Sequence, residues 1–391
     1  ITCVDAFEFL NNHSVSSTYA ALAIPYGPYY EYDYTSVVLG YVGNSTTVAQ
    51  VQSGLNTPLS VSVSGTDITV NLATNGAGAI TSLWDDVTAA IAASAQASAL
   101  VTSRRTIGTN TTASAFAKTN LSGGTFIQQL SGARVNAILD YIGWASADRS
   151  IAAGTHQCQA QTIATTSNTT ATSFLQQVEQ TEFGALFIDR NGKVVFLDQS
   201  TLGSSAYSAT AATFTDRAGT NVGTFPYQDL QGDYDRDLIF NQIIANRVSS
   251  TTPQIVTDTI SDSQYFTRSL SLSPLSVSDS DALSLAQAYL AKYKQPYFRF
   301  EPMKLFPGTN SSMWQNLVQR ELLDNVQIVR TPPGGGPLIN KTGGIISIEI
   351  SGSHQVANTV FSIQVDPSSG VTSLILDDSV YGTLDYNTLG F

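Results

Sequence analysis

TEFGALFIDRNGKVVFL, residues 181–197, decides how the middle of the chain is read. Two β-prone runs, ALFI and VVFL, flank Asp189-Arg190-Asn191-Gly192. That turn chemistry between two such runs is a strong hairpin signal. Just upstream, residues 173–184 (SFLQQVEQTEFG) read as a helix. Ser173 and Gln176 form a capping box there, and Gly184 supplies the stop. Further upstream, Phe126, Ile127, Leu130, Val135, Ile138, Leu139 and Ile142 recur at helical spacing. A helix over 125–142 is expected from them, with a strand over 156–164. Residues 124–200 therefore read as a small α/β domain.

The preceding segment, 44–123, reads as a self-contained ββαβ module. LSVSVSGTDITVNLAT is two alternating strands around a Ser64-Gly65-Thr66 turn. SLWDDVTAAIAASAQASALV is a helix with Ser82 as N-cap and Asp85 three residues later. Leu83, Trp84, Val87 and Ile91 form its apolar stripe. A further strand and the Gly123-Gly124 turn close the module.

Residues 1–43 begin with a short helix at 4–12 and continue into PYGPYYEYDYTSVVLGYVG. Pro25 and Pro28 forbid a helix in that run. Alternation puts Tyr30, Tyr32 and Tyr34 on one strand face. Tyr is amphipathic and suits a wet interface. Tyr29, Tyr30, Tyr32 and Tyr34 are therefore interface candidates; the alternative is a strand packed on the chain's own core.

Downstream, residues 201–225 are rich in Ser, Thr, Ala and Gly and read as a linker. Residues 226–391 read as a β domain with one helix. Its best strands are NQIIANRVSS, PQIVTDTI, YFRFEPMKLF, NVQIVRTPP, GGIISIEISGS and TVFSIQVD. DSDALSLAQAYLAKY, 279–293, is the helix, ended by Gln295-Pro296, and Trp314 and Leu317 mark a second, short one. The fold class expected is α+β and β-rich.

Composition narrows the function. Charged residues are 12% of 391, about half the usual share, and the formal net charge is −12. Phosphate affinity comes from Lys and Arg, so an acidic chain is a poor nucleic-acid binder. A low charged fraction fits broad protein interfaces, whose cores are depleted in charge. No apolar run is long enough to span a membrane. The chain starts at Ile1 in mid-pattern, and a piece of a longer protein lacking an N-terminal β-domain is expected.

The search for chemistry is mostly negative. His13, His156 and His354 lie in separate segments, and His156 with Cys158 supplies only two ligands where zinc wants three or four. Cys3 and Cys158 are compatible with one bridge or with two buried thiols. Asp233, Asp235 and Asp237 in GDYDRD face a cation only if the rest of a calcium loop is supplied elsewhere, because its later Gly and Glu are missing. Asp85-Asp86 and Asp377-Asp378 are adjacent carboxylates, which says nothing about facing geometry across a substrate. No nucleophile elbow, zinc-protease, P-loop or dinucleotide pattern occurs. No catalytic residue, cofactor or metal is expected.

Two motif blocks carry a resemblance. The first is GARVNAILDYIGW followed by TEFGALFIDRNGKVVFLD, in which Arg134, Ile138, Leu139, Asp140, Gly143, Trp144, Glu182, Gly184, Asp189, Gly192 and Phe196 hold the matching positions. The second is NQIIANRVSS followed by SLSLSPLSVSDSDALSLAQAYLAKYKQPYFRF. The opening TCVDAFEFLNN and the ending LILDDSVYGTLDYNTLGF agree. Together they resemble the minor tail, or tail-hub (baseplate hub), proteins of long-tailed actinobacterial bacteriophages, over residues 1–43 and 124–391. The module at 44–123 resembles an inserted domain of phage structural proteins. The resemblance implies tail-tube-like β-barrel domains beside a smaller α/β domain. It implies a homotrimeric ring at the virion tail tip, joined to tail tube, distal tail, other tip proteins and tape measure protein. DNA would pass through its channel without specific binding. Two other classes remain: a host-surface glycan binder, and a tail-associated cell-wall hydrolase.

Overall fold

The hairpin read at 185–197 is present in the computed structural model. Ala185–Ile188 and Val194–Leu197 pair antiparallel, with Ala185 opposite Leu197. Arg149–Ile151 adds a parallel strand beside Val194–Leu197. The structure describes residues 6–26, 29–106, 109–217, 224–235, 238–248, 250–308, 310–331, 338–352 and 357–365. Within these the fold is mixed α+β and strand-rich, with six sheets, none closed into a barrel. The chain divides into two units, residues 1–147 with 156–178, and residues 148–155 with 179–391.

The first unit holds two larger sheets. Tyr19–Tyr26, Tyr29–Leu39 and Val101–Arg105 form an antiparallel trio. Ser60–Ser64, Asp67–Leu72, Thr47–Gln52 and Phe116–Asn120 form a sheet of four in that order. The Ser64–Thr66 turn joins its first two strands as expected, with Gly65 at φ 62°. Thr47–Gln52, not anticipated as a strand, lies parallel to Asp67–Leu72. Its residues 47–50 are all buried, so no alternation betrays it. Helix Trp84–Ala93 buries Trp84, Val87 and Ile91. It begins one residue later than expected: Asp86 accepts the Leu83 N–H at 2.8 Å. Ser82 is turned instead to the Ala73 N–H, at 2.7 Å.

One apolar cluster unites Ala20, Tyr32 and Tyr34 with Val48, Ile68, Val70, Trp84 and Val87. Ala20, Tyr32 and Tyr34 thus share a core with the segment read as a separate module, and Val101–Arg105 pairs outside it.

In the rest of this unit, helix Ser131–Tyr141 starts six residues later than the spacing suggested. Phe126 is buried but sits at φ 61°, outside any right-handed helix. Gln129–Leu130 pairs with Gln157–Cys158, all that forms of the expected 156–164 strand. Helix Ala171–Glu182 starts two residues before Ser173, with Thr170 Oγ1 accepting the Ser173 N–H at 3.2 Å. The division between units falls within this helix.

The second unit contains a seven-stranded sheet. Its order is Thr224–Pro226, Ala212–Thr215, Asn325–Arg330, Ile339–Gly352, Ala357–Val365, Tyr297–Leu305 and Asp229–Asp235. Phe214, Phe300, Met303, Val326, Ile328, Ile345, Phe361 and Ile363 fill its core, closed by Met313 and Leu317 of helix Ser311–Gln319. Within residues 201–225, read as a linker, Ala212–Thr215 is a strand of this sheet and Phe214 is wholly buried. Two short helices, Gln199–Leu202 and Ser205–Ser208, precede it.

A smaller layer pairs Gln254–Thr257, Gln242–Ala245 and Ser269–Leu272 under helix Asp279–Tyr293. Ser278 caps that helix in a reciprocal box with Asp281, and its bounds are those expected. Ile243, Ala245, Leu272, Ala282 and Ala286 make the interface.

Candidate functional site

Several polar residues of the two motif blocks bond backbone groups. Arg134 has no exposed surface. Its Nη2 donates to the Ile127 carbonyl at 2.7 Å and the Gln159 carbonyl at 2.9 Å. Its guanidinium lies 5.5 Å from the Phe126 ring centre and 5.8 Å from that of Phe174. Arg suits this position because its planar fork can bond two carbonyls while stacking on rings. Burial pushes its pKa below the usual arginine value. Cys158 is a buried thiol in the same core; Cys3 lies outside the described residues.

The next motif positions shape the helix-to-hairpin turn. Glu182 is wholly buried and accepts the Thr155 N–H at 3.0 Å and its hydroxyl at 2.6 Å. Phe183, not Gly184, takes the left-handed conformation, at φ 55°. Gly184 is required by proximity: a Cβ there would lie 2.2 Å from the Leu197 carbonyl oxygen. Asp189 accepts the N–H groups of Asn191 at 2.9 Å and Lys193 at 2.8 Å. Burial pushes its pKa up, but these bonds outweigh it and hold the carboxyl below its usual value. Gly192 takes φ 79°.

In the second block, Asn241 is buried and bonded at both ends of its side-chain amide. Its Nδ2 donates to the Phe266 carbonyl at 2.8 Å, and its Oδ1 accepts the Arg268 N–H at 2.7 Å. Arg247 Nε donates to Asp279 Oδ1 at 2.8 Å, tying a strand end to the first turn of the 279–293 helix. The Arg247 bond holds the Asp279 carboxyl below its usual pKa.

The tyrosine candidates divide. Tyr32 and Tyr34 are wholly buried and belong to the chain's own core, the alternative the sequence left open. Tyr32 stacks on Trp84 with ring centres 4.5 Å apart and meets the Thr88 hydroxyl at 2.7 Å. Gln50 donates to the Tyr34 hydroxyl. Burial raises the pKa of both phenols. The side chains of Tyr29 and Tyr30 lie outside the described residues, as do those of Asp233, Asp235 and Asp237 and the whole of His354. His13 Nδ1 bonds the Phe9 carbonyl oxygen at 2.8 Å. Among the described residues no three His, Cys, Asp or Glu side chains gather as a metal group. No helix among them is long and apolar enough to cross a membrane.

Two surface features escaped the sequence reading. One is a cavity of about 240 Å³ lined by Thr47, Ser62, Ser64, Thr69, Asp67 and Lys118. Lys118 Nζ stands 2.6 Å from Asp67 Oδ2, and Thr47 Oγ1 donates to Asp67 Oδ1 at 2.7 Å. The other is helix Thr259–Tyr265, which carries Ile260, 70% exposed, and is followed by Phe266, 84% exposed.

Comparison with known proteins adds the following. No protein-family profile matches the chain, and no curated protein matches it. Among solved structures, it is similar to a tail protein from Neisseria meningitidis MC58 at 11% identity and TM-score 0.41, covering 69% of this chain and 75% of that one. It is similar to the 43 kDa tail protein of prophage MuSo2 from Shewanella oneidensis at 14% identity and TM-score 0.40, covering 62% and 68%. It is similar to prophage tail protein gp18 from Listeria monocytogenes EGD-e at 9% identity and TM-score 0.27, covering 53% and 56%. At these values the likeness carries no argument about function.

Proposed function

We propose that the chain is a structural subunit of a bacteriophage tail, of the hub or minor tail type, working at the tail tip. One observation carries the reading. Polar residues that match the tail-hub motifs, among them Arg134, Glu182, Asp189 and Asn241, bond backbone groups or set turns, and Arg247 is tied to the first turn of a helix through Asp279. A motif built of such positions marks shared architecture, and the role is carried from architecture by family analogy. In this reading three copies form a ring that continues the tail tube. The seven-stranded sheet is the candidate tube-like domain, and its barrel is completed in the assembly. The ring meets distal tail and tape measure proteins and gives DNA an exit whose wall repels phosphate. Imaging of the purified chain tests it: a threefold ring with an open bore is expected.

A second reading, binding of a host-surface glycan by residues 44–123, is favoured by the cavity at Asp67 and Lys118. Its hydroxyls and single ion pair suit a hydroxyl-rich ligand. A glycan array probed with the whole chain tests it, and loss of binding in Lys118→Ala is the expected signature.

A further inference from the structure

Arg134 is a buried cation whose hydrogen-bonding capacity is only partly used. Nη2 is taken by the Ile127 and Gln159 carbonyls, but Nε and Nη1 are sealed from solvent and meet no acceptor. A third donor shares their position. Gln129 lies directly opposite Cys158 in the short strand pair, so the two side chains leave on one face. Cys158 is wholly buried, and Gln129 Nε2 is buried on that face without a partner. The next residue, Gln159, supplies the carbonyl that Arg134 holds, which brings these groups to one part of the core.

Nothing among the described residues neutralises the charge. Arg134 bonds carbonyls only, and the one ionisable side chain that acts on it electrostatically is Cys158. Apolar burial keeps a thiol neutral, so Cys158 balances no charge. The Phe126 and Phe174 rings attract the guanidinium from their faces, but they take none of its in-plane N–H bonds. A buried charge without a counter-charge is strongly unfavourable. Within residues 126–134 and 157–161 there are three unpaired buried donor nitrogens against one unpaired acceptor oxygen, Gln161 Oε1. An excess of donors around a cation selects an anion over water.

We propose that this site binds a small inorganic anion of the halide class, held by Nε and Nη1 of Arg134 and Nε2 of Gln129. An occupant enclosed with a side chain of no exposed surface is small, which favours a monatomic ion over phosphate or a carboxylate. The ion ties helix Ser131–Tyr141 to the Gln129–Leu130 and Gln157–Cys158 pair. The site stands independently of the tail reading, since it rests on burial, charge and unpaired donors alone.

Thermal melting of the full chain at constant ionic strength tests it, with chloride exchanged for gluconate, an anion too large to be enclosed. Gln129→Glu supplies a carboxylate at the same position and carries the general salt effect. Relative to that variant, the wild-type melting temperature should rise by about 2 °C for each tenfold increase in chloride above the dissociation constant. Arg134→Met removes the charge and should lose the same dependence. A second measurement needs no variant: wild-type crystals in sodium bromide should show anomalous scattering beside Arg134 Nε and Nη1. A wild type whose salt response matches that of Gln129→Glu would overturn the proposal. So would density at that position with no bromide signal, which assigns the site to water.

Discussion

Arg134 and Gln159 are joined by a 2.9 Å bond from the guanidinium Nη2 to the backbone carbonyl, made by a side chain with no exposed surface. The same nitrogen reaches Ile127, so one side chain satisfies two carbonyls from segments that precede and follow the 131–141 helix. Arg134→Met keeps much of the volume between Phe126 and Phe174 but orphans both carbonyls. We expect a loss of about 2–4 kcal/mol in urea unfolding. Arg134→Lys should fall between, because a single ammonium replaces the planar fork. A methionine variant as stable as wild type would show that the bonds contribute nothing.

Gly184 meets the Leu197 carbonyl oxygen too closely for any Cβ, at 2.2 Å. Gly184→Ala must push the 171–182 helix end away from the hairpin, at a cost of about 1–3 kcal/mol. Gly192→Ala, at φ 79° with open space around it, should cost less, about 1 kcal/mol of backbone strain. Thermal melts of the two variants should rank them in that order.

Glu179 gives a pH dependence. Burial raises its carboxyl above the usual glutamate pKa, opposed only in part by the Leu186 N–H at 2.8 Å. A raised carboxylate costs stability when ionised in the fold, so Glu179→Gln should stabilise at neutral pH while keeping the acceptor for Leu186. As pH falls through the raised value towards the ordinary glutamate value, near 4.3, wild type protonates and the advantage disappears. Melting temperatures of both proteins from pH 8 to pH 4 should converge at the acid end.

Asp279 behaves in the opposite sense. Arg247 holds it below the usual aspartate pKa, so its contribution is present above the unfolded value and lost as pH falls through the folded one. The pair is partly exposed and screened by solvent, so Asp279→Asn should cost little. Asn241→Ala should cost about 2 kcal/mol, because a wholly buried side chain is lost and the Phe266 carbonyl and Arg268 N–H lose their partner. Side-by-side unfolding curves check the ranking.

How far the sequence could be read follows from how local each signal was. The helix Asp279–Tyr293 was legible because Gln295-Pro296 stops it, and the hairpin at 185–197 because an Asn-Gly turn lies between its strands. Thr47–Gln52 was missed because a strand buried on both faces shows no alternation. Ala212–Thr215 was hidden in a Ser, Thr and Ala run, and only its partner Asn325–Arg330, more than a hundred residues later, makes it a strand. Phe126 matched helical spacing, yet its buried position comes from packing with Phe174 and Arg134. For Tyr32 and Tyr34, period two placed both on one face. What that face meets is decided by Trp84, some fifty residues away. The exposed Phe266 left no trace, because nothing in TISDSQYFTR announces a left-handed residue.

The central claim is a ring-forming tail subunit. Electron microscopy of the purified full chain, with its mass in solution, tests it most directly. The account predicts threefold particles around an open bore, at three times the chain mass of 41.6 kDa. A monomer at all concentrations, or an assembly without a bore, would contradict it.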